Sequence, residues 1–183
     1  MAEDFLKKKK FDIHQALNLI WLTAYKLHEN VSKEFRSSKV EFSKDSYINV
    51  GGVWSRQFYP LPVIRTEVGE IGVNLDGVYG VIGILSESIS EEFLSEILES
   101  GLNVKIYGGE DFTRTYYTGE IRISVKGLLE KIKKSREEVL QIEVRRDISE
   151  GSKIVEDLRK LREVMIRNRI KYINPLQVSE INS

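Results

Sequence analysis

Residues 108–119, GGEDFTRTYYTG, hold the densest set of chemically useful side chains in the sequence. Glu110 and Asp111 could move a proton or hold a metal, Arg114 could grip an anion, and Tyr116 and Tyr117 could stack on a ring. Gly108 and Gly109 permit the positive φ that a long hairpin loop needs. An exposed turn whose tyrosines lead back into a sheet uses the same residue types, and no transferable catalytic motif is matched here. The stretch reads as a hairpin loop first and as a small-ligand site second.

Other chemistry is sparse. His14 and His28 are the only histidines, and on one helix they stand about 21 Å apart, too far to share a metal within a subunit. Either could pair with a carboxylate as a general base, or sit at a core edge beside Trp21 and Tyr25. The chain has no cysteine, which excludes disulfides, thiolate zinc sites and a cysteine nucleophile. EGSKIV at 150–155 has the wrong order for a phosphate-binding loop, and there is no G-x-S-x-G elbow. No catalytic residue, metal ligand or cofactor is assigned. A metal-dependent hydrolase using Glu110 or Asp111 is the enzyme alternative.

A second cluster lies at 49–65, NVGGVWSRQFYPLPVIR, where Trp54, Arg56, Phe58 and Tyr59 stand beside two prolines. Aromatics with an arginine suit a protein interface or a base-stacking surface, and equally a core tryptophan under a stiffened loop. The candidate interface set is Trp21, Tyr25, Trp54, Phe58, Tyr59, Leu158 and Met165.

The elements that must position these residues follow from hydrophobic period. Residues 11–36 read as a long helix, with Ile13, Leu17, Ile20, Ala24, Leu27, Val31 and Phe35 on one stripe. Trp21 and Tyr25 edge that stripe, and Leu19 and Leu22 lie elsewhere on the circumference. This apolar surface is wider than a surface helix needs, so the helix is either deeply buried or at a subunit contact.

From 39 to 77 the period is two, as in hairpins, and Asp76-Gly77 marks a tight turn into VYGVIGIL, apolar on both faces and so a central strand. Pro60 and Pro62 place YPLPVIR at an edge or loop entry. Residues 78–145 then read β-α-β-β-α-β. The first helix covers about 90–100, with a Ser88/Glu91 capping box and Gly101 at its end. The third strand is GEIRISV, and the second helix covers about 126–136. Gly77, Gly80 and Gly83 are expected to let a helix pack closely on the sheet.

A last helix over 149–172 carries Ile154, Leu158, Leu161, Met165 and Tyr172 on one stripe. Residues 1–173 are expected to form one domain, and 174–183 a loose tail.

Composition bounds the class. The 183 residues are 41% hydrophobic, enough for a sizeable core. Lys+Arg and Asp+Glu are 28 each, so the chain lacks the net positive field of a dedicated nucleic-acid binder. Weak binding through Lys7–Lys10 and Lys160, Arg167 and Lys171 stays open, although neighbouring acids suggest an ion-paired face instead. The RNA-recognition pattern fails on the third strand, which offers Glu120, Arg122 and Ser124 where aromatics are needed. High charge with few thermolabile residues suits a thermophile. No apolar run reaches membrane-spanning length, and a cytoplasmic location is expected.

In topology, residues 78–145 resemble ferredoxin-like and ACT-type modules, which implies dimerisation and small-metabolite binding at strand–helix loops. FDIHQALNLIWLTAYKLHENV and GGVWSRQFYPLPVIR give the chain a resemblance to small uncharacterised proteins of hyperthermophilic archaea, which implies no activity. The sequence thus predicts an α+β domain with a mostly antiparallel sheet and helices largely on one face. It predicts a non-enzymatic binding or assembly module that self-associates as a homodimer, with a small anionic ligand at 108–119 as the alternative.

Overall fold

The computed structural model describes residues 13–43, 49–50, 53–54, 61–74, 76–109 and 114–177. Along the chain run α1 (Ile13–Glu34), β1 (Glu41–Ser43), β2 (Asn49–Val50), β3 (Val53–Trp54), β4 (Leu61–Arg65), β5 (Glu70–Asn74) and β6 (Gly77–Leu85). There follow α2 (Glu91–Glu99), β7 (Val104–Gly108), β8 (Arg114–Tyr117), α3 (Val125–Ser135), β9 (Val139–Arg146) and α4 (Ile154–Arg167). Seven strands form one antiparallel sheet in the order β1-β4-β5-β6-β9-β7-β8, and β2 pairs with β3 separately. The fold is α+β, as the sequence predicts.

Alternation along the strands decides which face is dry. On β6, Val78, Ile82 and Ile84 are buried, and across from Ile82 and Ile84 stand Ile142 and Leu140 of β9, also buried. Helices cover this face. The α1 stripe of Ile20, Ala24, Leu27, Val31 and Phe35 joins the same core cluster as Leu158, Leu161 and Met165 of α4. Phe93 and Ile97 of α2 and Leu128 and Ile132 of α3 belong to it too. Each such side chain contributes about 1.5–3 kcal/mol when fully removed from water.

The opposite face is polar. One row across it runs Arg65, Glu70, Val81, Glu143 and Lys105. Arg65 bridges Glu41 and Glu70, and Arg145 pairs with Glu143 at 3.1 Å. Tyr79 lies on this face, and burial raises its phenol above the ordinary value, helped by Glu70 and Glu143. Arg65 and Arg145 are thus each neutralised locally on the sheet surface.

The central-strand expectation holds, since β6 is fourth of seven. Of the three glycines expected to admit a helix, only Gly80 does so: a Cβ there would lie 2.9 Å from Leu158. Gly77 instead backs onto the Arg146 carbonyl, and Gly83 onto Ile173. Pro62 stands opposite Phe42 of β1, and pairing between β4 and β5 begins one residue later at Val63.

Five expectations need correction. GEIRISV is not a strand. Residues 119–124 are irregular, and Ser124 accepts from the Gly127 N–H at 3.1 Å, which starts α3 at Val125. The strand is instead the β-favouring RTYY.

The β-α-β-β-α-β order survives along the chain, but in space the unit lies β6-β9-β7-β8. Its second and fourth strands are inside, whereas a ferredoxin-like sheet centres the first and third. The cap of α2 is Ser90, which accepts from Phe93 N–H at 3.1 Å; Ser88 instead binds Leu85 and Lys171.

Finally, α4 stops at Arg167. Asn168 caps it and Arg169 takes φ of 54°, turning the chain back. Lys171–Ile173 then pair with β6 through Leu85 N–H to Lys171 O and Ile173 N–H to Gly83 O, each 2.8 Å, so Tyr172 faces β6 rather than extending the helix. Asn174 accepts from Leu176 and Gln177 N–H, so the expected tail is folded at least to 177.

Candidate functional site

Glu137, which sequence reasoning passed over, organises the 108–117 hairpin. It follows Arg136, whose φ of 57° ends α3. Its side chain is only 13% exposed. One carboxylate oxygen accepts from the Gly109 N–H, and the other accepts from the Tyr116 hydroxyl and from Arg114 Nη1, the last at 2.8 Å. Gly108 is glycine because any Cβ would collide with this carboxylate and with Leu140. Gly109 takes φ of 86°, which makes the turn.

Tyr116 is buried at 1% exposure, with Lys131 Nζ 5.5 Å above its ring. Arg114 is held above its ordinary pKa, first by the Tyr116 hydroxyl and then by Glu137. The anion expected at Arg114 is therefore supplied by the chain itself. Tyr117 packs half-buried against the core, and Glu110 and Asp111 lie outside the described residues. This arrangement locks a hairpin, and among the described residues it leaves Arg114 already engaged.

A second polar knot lies at the other end of β9. Arg146 gives Nε and Nη2 to the two oxygens of Asp157, at 2.5 and 2.8 Å. Asp157 is 3% exposed in the first turn of α4, where a carboxylate also opposes the helix dipole. The bidentate fork raises the Arg146 guanidinium pKa, the Asp157 hydrogen bond being the main cause. Its chemistry is that of a clamp between sheet and helix.

The remaining candidate surface is the outer side of α1. Leu19, Leu22 and Tyr25 are 53%, 58% and 56% exposed, and Phe42 of β1 beside them is 63% exposed. Trp21 links Tyr25 to Phe42. Its ring centroid lies 5.9 Å from Tyr25 and 4.8 Å from Phe42, both tilted. His28 sits at the margin, donating Nε2–H to the Ser38 carbonyl at 2.9 Å.

The predicted interface set is thus divided. Trp21 and Tyr25 are at this surface. Leu158 and Met165 are 0% exposed inside the chain's own core and have no surface to offer a partner. For Trp54 only the backbone is described, in β3, and Phe58 and Tyr59 lie outside the described residues, as do Lys7–Lys10. The basic side of α4 is largely paired: Lys160 with Glu156, Arg159 with Glu163, Arg167 with Glu96, and Lys171 beyond it with Glu87.

The signal for Glu137 was weak but present. A glycine pair and a buried tyrosine on one side of a hairpin call for an acceptor, and Glu137 lies two residues before β9, the strand that returns beside them. Nothing in the sequence announced Asp157, which reads as one acid among several on a helix.

Comparison with known proteins now places the chain. It belongs to the family described as "Protein of unknown function (DUF3201)", matched over residues 15–160. It is similar to the solved structure of a conserved hypothetical protein from Pyrococcus furiosus, with 27% identity and a TM-score of 0.73. That match covers 86% of this chain and 96% of the other. The resemblance to uncharacterised archaeal proteins is in keeping with both findings. No curated protein matches it. Among the described residues, no helix is long and apolar enough to cross a membrane, and no group of three or more acids or histidines stands together to hold a metal.

Proposed function

We propose that this family member is a non-catalytic assembly module that pairs with a second copy of itself through the outer side of α1. The observation that carries the reading is the contiguous surface of Leu19, Trp21, Leu22, Tyr25 and Phe42, apolar and aromatic in a molecule whose other large side chains are mostly covered. Tryptophan and tyrosine are the residue types on which interface energy concentrates. Lys26 and Glu29 on the same helix are exposed and supply a polar rim of both signs. A two-fold axis between Leu22 and Tyr25 sets apolar against apolar and needs no complementary groove elsewhere. A standard interface buries about 800 Å² per partner, so these side chains form its centre rather than its whole extent.

The absence of cysteine gives a clean test. Leu19→Cys, Leu22→Cys and Tyr25→Cys are oxidised separately, with Glu163→Cys on α4 as the control. A residue near the axis has Cα atoms within disulfide reach of its copy, about 4.4–6.8 Å. At least one α1 variant should cross-link much faster than the control. Equal rates at all four positions would remove the reading.

A small-ligand role for the 108–119 loop is the second reading. Glu137 weakens its Arg114 component, because an incoming anion would have to displace an internal carboxylate.

A further inference from the structure

Away from α1's outer side and the Glu137 hairpin lies a cavity of about 580 Å³, lined by Arg36, Glu67, Tyr172, Asn174 and Gln177. Small-molecule sites have this volume. Three distant stretches build it. Arg36 follows α1, Glu67 lies in the turn between β4 and β5, and the other three belong to the segment that returns after α4.

Each stretch is fixed by backbone bonds. The buried Thr66 hydroxyl donates to Gly69 O and accepts from Val68 and Gly69 N–H, which sets the turn carrying Glu67. Glu67 N–H donates to Arg36 O at 3.2 Å, and Ser38 N–H to Arg65 O at 2.8 Å, which anchors the chain leaving α1. The returning segment is held by its pairing with β6.

The polar groups at this wall are only partly satisfied by one another. Glu67 Oε2 is shielded from solvent and has no hydrogen-bond partner, and neither has Arg162 Nε behind it. Arg162 Nη1 and Glu67 Oε1 form a long ion pair at 4.0 Å, too far for a hydrogen bond. The Arg162 guanidinium lies instead 5.9 Å from the Phe35 ring centre. Among the described residues, no carboxylate pairs with Arg36. Folded proteins seldom leave a buried carboxylate oxygen without a hydrogen bond, and the exposed Arg36 guanidinium stands at the same cavity free to receive an anion.

We infer that this cavity is a binding site for a small zwitterion, a molecule carrying an ammonium group and a carboxylate a few bonds apart. The ammonium donates to Glu67, the carboxylate is received by the Arg36 fork, Asn174 and Gln177 supply neutral polar contacts, and the Tyr172 ring forms an apolar wall. A purely cationic ligand is opposed by Arg36 and by Arg162 beside Glu67, and a purely anionic one leaves the Glu67 Oε2 acceptor without a donor. The site owes nothing to the surface of α1, so its fate is separate from that of the assembly reading.

The test is calorimetric titration of the full-length chain with the common L-amino acids at about 10 mM, each beside its N-acetyl derivative and its methyl ester. At least one amino acid should bind, and its acetylated and esterified forms should bind at least about tenfold more weakly, since each loses one charge. Glu67→Gln, which keeps the shape, and Arg36→Met should each reduce that binding by a similar factor. Binding that persists in both variants, derivatives that bind as well as the parent, or no heat from any amino acid would each overturn the inference.

Discussion

The first and last helices present similar sequence patterns and end in opposite situations. Both carry an apolar stripe at helical spacing. The stripe of α4 is covered completely, with Ile154, Leu158, Leu161 and Met165 all at 0% exposure, and off the stripe Ile166 alone of its large apolar side chains stands in solvent. The stripe of α1 is covered as well, but a second apolar surface on its outer side stays in solvent. The sheet does not run out of area; α1 carries more apolar side chains than one face of a helix can bury. A buried stripe explains folding and exhausts itself in doing so. Only apolar surface beyond the stripe is available to explain association.

The largest expected effect sharpens the α4 side of this contrast. Asp157→Ala leaves Arg146 without its fork, and breaking such a pair costs about 3–5 kcal/mol. Leu158→Ala opens a cavity against Gly80 and costs about 2–5 kcal/mol. Both are read from denaturant midpoints. Neither should alter the propensity to self-associate while the chain remains folded. If either disperses a folded dimer, the division of labour between the helices fails.

Glu137→Gln comes next. It removes the charge that Gly109, Tyr116 and Arg114 share, for about 1.5–3 kcal/mol of hydrogen bonding to a charged group. Proton exchange should quicken in β8 and leave α1 unchanged. Protection of β8 equal to that of the native chain would show that Glu137 does not hold the hairpin.

On the α1 side, Leu22→Glu should change the stability of the isolated subunit by no more than about 0.5 kcal/mol, as for a surface site, while abolishing association. A fall of several kcal/mol would mean that Leu22 is packed within the subunit.

The smallest effect concerns acid. The Glu96 carboxylate is lowered below its ordinary value of 4.5, first by the Arg167 hydrogen bond and then by Asn168, and Glu87 is lowered by Lys171. A depressed folded pKa adds stability that is present above the ordinary value and lost as pH falls through the lowered one. These pairs are solvent-exposed and screened by salt. Acid should therefore loosen the end of α4 and the segment after it slightly, less so in high salt, as read by exchange of Asn168–Tyr172. Exchange there that is indifferent to both pH and salt would argue against the pairs.

Much of the architecture was legible because periodicity reports burial directly. The α1 stripe, the alternation in VYGVIGIL and the Asp76-Gly77 turn each translate into one observed element. GEIRISV shows where the rule fails. Its alternation mimics a strand, but Ser124 captures the start of a helix and RTYY, with equal β preference, takes the place in the sheet. Spatial order was not legible either, since β8 and β9 both suit the place between β6 and β7 and local pattern does not rank them.

The site suffered the same limit. Arg114, Tyr116 and Tyr117 were visible as residue types, but the carboxylate that neutralises Arg114 lies 23 residues on. Arg36, Glu67 and Tyr172 meet only because the chain turns back at Arg169. Leu158 and Met165 were misassigned because a stripe does not say whether its own subunit covers it.

The most direct measurement is the light-scattering mass of the full-length chain across about 1–100 µM, beside Leu22→Glu. The native chain should climb toward twice its 21.1 kDa as concentration rises, and the variant should stay at 21.1 kDa throughout. A native chain that stays at 21.1 kDa over the whole range would contradict the account.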